Sequence, residues 1–103
     1  MDDINSVHLT GVVERDPVKH HEGTPMLGFT IRVEEVNRAS GEVFKVFVPI
    51  EVYGQGCDQA QGLRAGDAVL VAGKVKWTSW VGKDGQKKSS LAVLARMVRT
   101  MQS

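Results

Sequence analysis

The sequence predicts an all-β fold with one short helix, a five-stranded Greek-key barrel. Three observations carry that prediction. Most segments alternate apolar and polar residues with a period of two, the spacing of a half-buried strand. Clusters of Gly, Pro, Asn and Asp punctuate those segments as turns. The one weakly helical stretch falls between the third and fourth extended segments, where a barrel of this kind carries its helical connector.

Asn5 to Arg15 reads as the first strand, with Val7, Leu9, Gly11 and Val13 alternating against His8, Thr10, Val12 and Glu14, and with Gly11 where a strand would bulge or bend. Asp16-Pro17 and Gly23-Thr24-Pro25 bracket a loop. The second strand, Met26 to Val36, places Phe29, Ile31 and Val33 on one face, and Asn37 to Glu42 forms a turn. Val43 to Tyr53 is rich in β-branched and aromatic residues and makes the third strand, in which Pro49 points to an edge or bulge position. Gln55 to Leu63 is the helical candidate. Arg64-Ala65-Gly66-Asp67 then turns the chain into a fourth strand, Ala68 to Trp80, and Lys87 to Met101 supplies the fifth with Leu91, Val93, Ala95 and Met97. Three strands, a helical connector and two more strands follow the order of a barrel of the oligonucleotide-binding (OB) type. An SH3-like barrel also uses five strands but has no helix at that point, and ranks second.

With 103 residues the chain reads as a single domain, residues 1–103, able to bury about 60–70% of its unfolded surface without metal or disulfide staples. The single Cys57 has no partner for an intramolecular disulfide, and Met-Asp-Asp-Ile at the start lacks the regions of a signal peptide, so a reducing cytoplasm is the expected compartment. No apolar run approaches the ~20 residues that span a bilayer, which argues against a membrane role. The net charge of +1 hides an asymmetry. Residues 1–60 carry five Lys/Arg against ten Asp/Glu, giving −5, whereas residues 61–103 carry eight against two, giving +6. A basic half on a nearly neutral domain points to a polyanion-binding face.

Within that half, Gly73 to Lys88 is the most informative stretch. Strand alternation puts Lys74, Lys76, Thr78 and Trp80 on one face and Val75 and Trp77 on the other, and the strand runs into a glycine-bearing turn that carries Lys83, Lys87 and Lys88. Cations hold phosphates and an aromatic plate stacks on unpaired bases, so this combination suits a single-stranded nucleic acid better than a duplex. Solubility and edge protection are the competing explanation for the lysines. Trp77, of opposite parity, is expected to pack in the core or in an interface.

Several motifs, taken in order, resemble the OB-fold domain of the bacterial single-stranded DNA-binding protein family. Asn5-x-Val7-x-Leu9-x-Gly11-x-Val13-x-x-Asp16-Pro17 looks like that family's first strand and turn, and Ser40-Gly41-Glu42 like the tip of its second hairpin. Leu63-Arg64-x-Gly66-Asp67-x-Val69-x-Val71-x-Gly73-x-Val75 is similar to its run after the helix, and Trp80 with Gly85 reproduces a Trp-x4-Gly spacing. The resemblance implies base stacking on Trp80, on Phe47 where the family often has tryptophan, and on Tyr53 just before Gly54, with Lys74 and Lys76 at basic positions of the same strand face. It implies a homo-oligomer, dimer or tetramer, and a role in DNA replication, recombination or repair. Two departures stand out. No tryptophan occurs among Glu34, Glu35, Val36 and Asn37, and the sequence ends at Ser103 without the flexible, acid-tipped tail that recruits other replication and repair enzymes. A tailless plasmid, phage or accessory paralogue, the primosomal replication protein that shares the fold, or a trimmed chain would each look this way.

Other chemistries find little support. His8, His20, His21 and Cys57 lack metal-ligand spacing, Gly54-Gln55-Gly56 lacks the third glycine and the βαβ unit of a dinucleotide loop, and no Ser/His/Asp set can be assembled. The histidines of the loop are expected to be solvated, and Asp2, Asp3, Glu34 and Glu35 read as surface carboxylates. The expected function is therefore sequence-independent binding of single-stranded DNA, without catalysis, metal or cofactor, by Trp80, Phe47, Tyr53, Lys74, Lys76, Lys83, Lys87 and Lys88. The alternative is a protein-interaction module of a replication, primosome or transfer complex that has kept the barrel and lost its ligand.

Overall fold

The computed structural model describes residues 3–20, 25–54 and 56–101. Six strands and one short helix follow in the order β1 (Val7–Val13), β2 (Val18–His20), β3 (Met26–Val36), β4 (Val43–Tyr53), α1 (Gly56–Ala60), β5 (Ala68–Val81) and β6 (Lys87–Thr100). Neighbours in the sheet run β1-β5-β6-β4-β3, and a β1–β3 pairing at Val12↔Arg32 and Val13↔Ile31 closes the ring into the expected five-stranded barrel. β4 and β6 run parallel and the remaining pairs antiparallel.

The additional strand, β2, lies in the expected loop and pairs with β3. Three residues are too few to show a period, so nothing in the sequence marks it. Gly23, Thr24 and Gln55 lie outside the described residues.

Side chains of alternating parity fill the barrel: Val13, Ile31, Ile50, Val69 and Val71 are each at most 1% exposed. α1 and the turn after it close one end with Cys57, Ala60 and Leu63, all buried in the same cluster. The Cys57 thiol donates to the Val52 carbonyl at 3.2 Å, the behaviour of a satisfied core group.

Two glycines permit the closure. A Cβ on Gly11 would meet the Arg32 carbonyl oxygen at 2.7 Å, just where β1 leaves β5 for β3. At Gly73 a Cβ would collide with the Leu94 carbonyl oxygen. The register there jumps from Ala72↔Met97 to Gly73↔Ala95, so Arg96 is an extra residue bulged out of β6.

The β5–β6 ladder continues past the barrel rim to Val81↔Lys87. β4, by contrast, pairs with β6 only at Ile50 and Glu51, so on that side the part of β4 before residue 50 is an edge. Pro49, which has no N–H to donate, stands at this boundary, as its chemistry requires. Beyond the rim the core-parity faces of both hairpins lie open: Phe44 and Val46 are about half exposed, Leu91 is 58% and Trp77 63% exposed. Of the two expected places for Trp77, core or interface, the core is ruled out. Trp77 has the parity of Val69 and Val71, but β5 has left the barrel by residue 77.

Candidate nucleic-acid interface

The outer surface of the barrel collects most of the candidate residues. In β4, Val48, Ile50 and Val52 point inward, so Phe47, Pro49, Glu51 and Tyr53 point outward. Cross-strand partners share a face, which puts Lys74 with Leu94, Lys76 with Ala92, Thr78 with Ser90 and Trp80 with Lys88 on that same outer side. The sheet thus carries three aromatic rings on one surface, Phe47 at 54%, Trp80 at 46% and Tyr53 at 39% exposure. At strand rise, Trp80 lies about 13 Å along β5 from Lys76, and Phe47 about 20 Å along β4 from Tyr53. The rings are therefore spread along a track rather than clustered in one pocket. Beside Phe47 and Pro49 an open groove of about 740 Å³ runs between β4, Gly28 and Thr30 of β3, and the rim formed by Glu14 and Asp16.

The lysines do not behave alike. Lys74 and Lys88 are exposed on the aromatic side. Lys83 sits in the tight turn between β5 and β6, held by Gly85 at φ 79° and by Asp84, whose carboxylate accepts from the Gln86 amide at 3.1 Å. Lys87 pairs with Val81 and so falls on the Trp77 face, because consecutive strand residues alternate. Lys87 and Lys88 thus flank the hairpin from opposite faces.

Lys76 is not an uncommitted cation. Its Nζ lies 3.0 Å from Glu51 Oε1, 3.4 Å from the Tyr53 hydroxyl and 5.3 Å from the centroid of the Tyr53 ring. Since β6 lies between β5 and β4, the Lys76 side chain has to cross β6, and Ala92, its cross-strand partner, is only 2% exposed. The Tyr53 hydroxyl donates to the same Glu51 oxygen at 2.6 Å. Burial pushes the Glu51 carboxyl up, but hydrogen bonds from Tyr53 and Lys76, with the Lys76 charge, outweigh it and hold the group below the ordinary carboxylate value. The hydrogen bond to Glu51 raises both the Tyr53 and the Lys76 pKa.

Three features of the site escaped the sequence. The Glu51–Tyr53–Lys76 cluster depends on a cross-sheet approach that spacing along one strand does not reveal. Arg96, displaced by the bulge, lines a hollow of about 370 Å³ with Lys74, Tyr53 and Asn5. Arg32, the cross-strand partner of Phe47, is held by Glu14 at 3.3 Å and Glu34 at 3.2 Å, the second through an Nε that makes no directed hydrogen bond. Among the described residues no group of three or more His, Cys, Asp or Glu side chains comes together. Asp2, His21 and the side chain of His20 lie outside the described residues.

A closed OB-type barrel with an aromatic and cationic outer face defines a class of ligand-binding proteins. The sequence profile of the Single-strand binding protein family matches residues 4–101, and the chain belongs to that family. A single-stranded DNA-binding protein of Thermotoga maritima is 33% identical over 94% of this chain and 73% of its own length. One from Thermus aquaticus is 29% identical over 89% of the chain but only 36% of its own length. Single-stranded DNA-binding protein 2 of Chlorobaculum tepidum is 27% identical over 96% of the chain and 72% of its own length.

Proposed function

We propose that this chain binds single-stranded DNA without sequence preference, stacking bases on Trp80, Phe47 and Tyr53 and holding phosphates with Lys74, Lys83 and Lys88, while Lys87 contributes from the other face of the hairpin tip. The observation that carries the reading is the sharing of one exposed sheet surface by all three rings and by Lys74 and Lys88. Stacking on a π-face is tolerant of sequence, and the phosphate contacts add salt dependence. Nothing in this reading requires a bond to be made or broken, and DNA replication, recombination or repair in the cytoplasm is the setting it fits. Among the described residues no helix is long and apolar enough to cross a membrane.

A homo-oligomer belongs to the proposal. β3 pairs with β1 only at Val12 and Val13, which leaves the other side of Val7–Gly11 as an open strand edge among the described residues. The exposed Trp77 and Leu91 add apolar surface that association would cover. Mass measurement by light scattering decides between dimer and tetramer.

The test of binding is intrinsic tryptophan fluorescence during titration with oligo-dT at two salt concentrations. Deep quenching that weakens with salt is expected. With Lys76 committed to Glu51, three to four lysines remain, and log affinity should fall with log salt at a slope of about −2 to −3, taking ~0.7 per phosphate. Unchanged fluorescence together with no gel shift would favour the protein-interaction module, whose docking surface would then be the apolar face around Trp77.

A further inference from the structure

On the single-strand reading above, we propose that Glu51 is a positioning residue of the interface: it fixes Tyr53 for stacking and withholds the Lys76 charge from the bound strand. Glu51 is the one buried charged residue among those described, at 9% exposure, and it lies in the middle of an otherwise exposed aromatic and basic face. A carboxylate at that position repels phosphate, so it calls for an explanation. The geometry supplies one. A single oxygen, Oε1, accepts from the Tyr53 hydroxyl at 2.6 Å and from Lys76 Nζ at 3.0 Å, tying β4 to β5 across the intervening strand.

Two consequences follow for the ligand. Tyr53, anchored at its hydroxyl with the Lys76 ammonium near one side of its ring, offers the other side to a base in a fixed orientation. Lys76 faces the strand as half of a neutral pair, so phosphate attraction near Tyr53 is left to Lys74 and Arg96 of the adjoining hollow, and farther out to the lysines at the hairpin tip. The pair stays charged near neutral pH, since the Glu51 pKa is lowered and the Lys76 pKa raised.

The experiment compares oligo-dT affinity between about 50 and 200 mM salt for the wild type, Glu51→Gln, Lys76→Met and the double variant. Glu51→Gln should free Lys76 and steepen the salt slope by about 0.7, an extra loss of about 2.5-fold over that fourfold rise in salt. Lys76→Met should keep the wild-type slope, and the double variant should return to it. As a reading without DNA, ultraviolet titration of Tyr53, the single tyrosine of the chain, should show its ionisation above the ordinary value of 10.0 in the wild type and shifted down in Glu51→Gln. Because unfolding would also return the tyrosine to its ordinary value, circular dichroism of Glu51→Gln at neutral pH has to show the wild-type fold alongside this shift. A slope unchanged in Glu51→Gln, or flattened by about 0.7 in Lys76→Met, overturns the inference while leaving single-strand binding intact. A wild type that binds no oligo-dT removes the parent reading and this one together.

Discussion

Trp80→Ala separates stacking from general electrostatic attraction. Trp80 lies near the end of β5 beyond the barrel, 46% exposed, opposite Lys88 and away from the core cluster. Removing it deletes one stacking plate and leaves the lysines in place. A base–aromatic stack contributes about 1–3 kcal/mol, which corresponds to about 5- to 150-fold in affinity. Folding should hardly respond: an exposed position outside the core is worth within about 0.5 kcal/mol, a Tm shift below about 4 °C. The assay is clean in a Trp77→Phe background, where Trp80 is the remaining indole and its quenching by oligo-dT reports the groove directly. The Trp80→Ala protein is then followed by gel shift at matched salt, and its salt slope should equal that of the parent. An affinity within about twofold of the parent, or unquenched Trp80 fluorescence in a complex that forms, refutes the placement of Trp80 in the binding track. A flattened salt slope would show instead that the substitution had disturbed the neighbouring lysines.

Gly73→Ala should cost about 2–3 kcal/mol and lower Tm by about 10–20 °C in calorimetry, because its Cβ would strike the Leu94 carbonyl oxygen and approach Ala95 Cα at 2.9 Å. Gly62→Ala, with open space around the new methyl and no positive φ, should leave Tm nearly unchanged. In urea titrations, the wild type should lose stability as pH falls below the ordinary carboxylate value of 4.5, since the Glu51 pKa is depressed in the folded state and protonation then favours unfolding. Above pH 10 the sign is carried by Tyr53 and Lys76, whose raised pKa values mean that their contribution is complete below the ordinary values of 10.0 and 10.5 and fades as pH climbs through the folded ones. Glu51→Gln should flatten both limbs, and equal acid sensitivity in the variant would show that other carboxylates dominate. Lys74→Ala should lower the salt slope of oligo-dT binding by about 0.7 without touching Tm; an unchanged slope would remove Lys74 from the phosphate contacts.

The barrel was legible because its information is local. Period-two alternation in Met26–Val36 and Val43–Tyr53 locates both strands, and the turn residues bound them at the observed limits. The site was legible only where one strand decides the outcome. Lys74, Lys76 and Trp80 share a face by parity alone, and they do so in the structure. The prediction loses force once the answer depends on a second strand. Lys87 takes the Trp77 side because the turn sets where β6 begins. Arg96 reaches the Tyr53 side through a bulge that no periodicity announces. Trp77 has inward parity yet no interior to enter, because the length of β5 relative to the barrel is a property of the whole ring. Glu51 looked like one carboxylate among ten in an acidic half, and only the closure of β4 onto β6 brings Lys76 within 3.0 Å of it.

That closure also redraws the meaning of the charge asymmetry. Four acidic residues of the first sixty lie on the aromatic side or pair with its cations rather than on a separate surface. Glu14 and Asp16 line the groove beside Phe47, Glu34 and Glu14 hold Arg32 there, and Glu51 holds Lys76. Lys74 and the lysines of the hairpin tip make no ion pair among the described residues, so a field that attracts a polyanion is expected beyond the barrel rim, around Trp80. A strand drawn in by that field would meet the tryptophan first and then reach Phe47, beside Glu14 and Asp16, and Tyr53, beside the Glu51–Lys76 pair. On such a surface the approach of the strand is governed by salt and its hold by stacking, so raising ionic strength should slow association more than it speeds release, a division that stopped-flow quenching of Trp80 resolves.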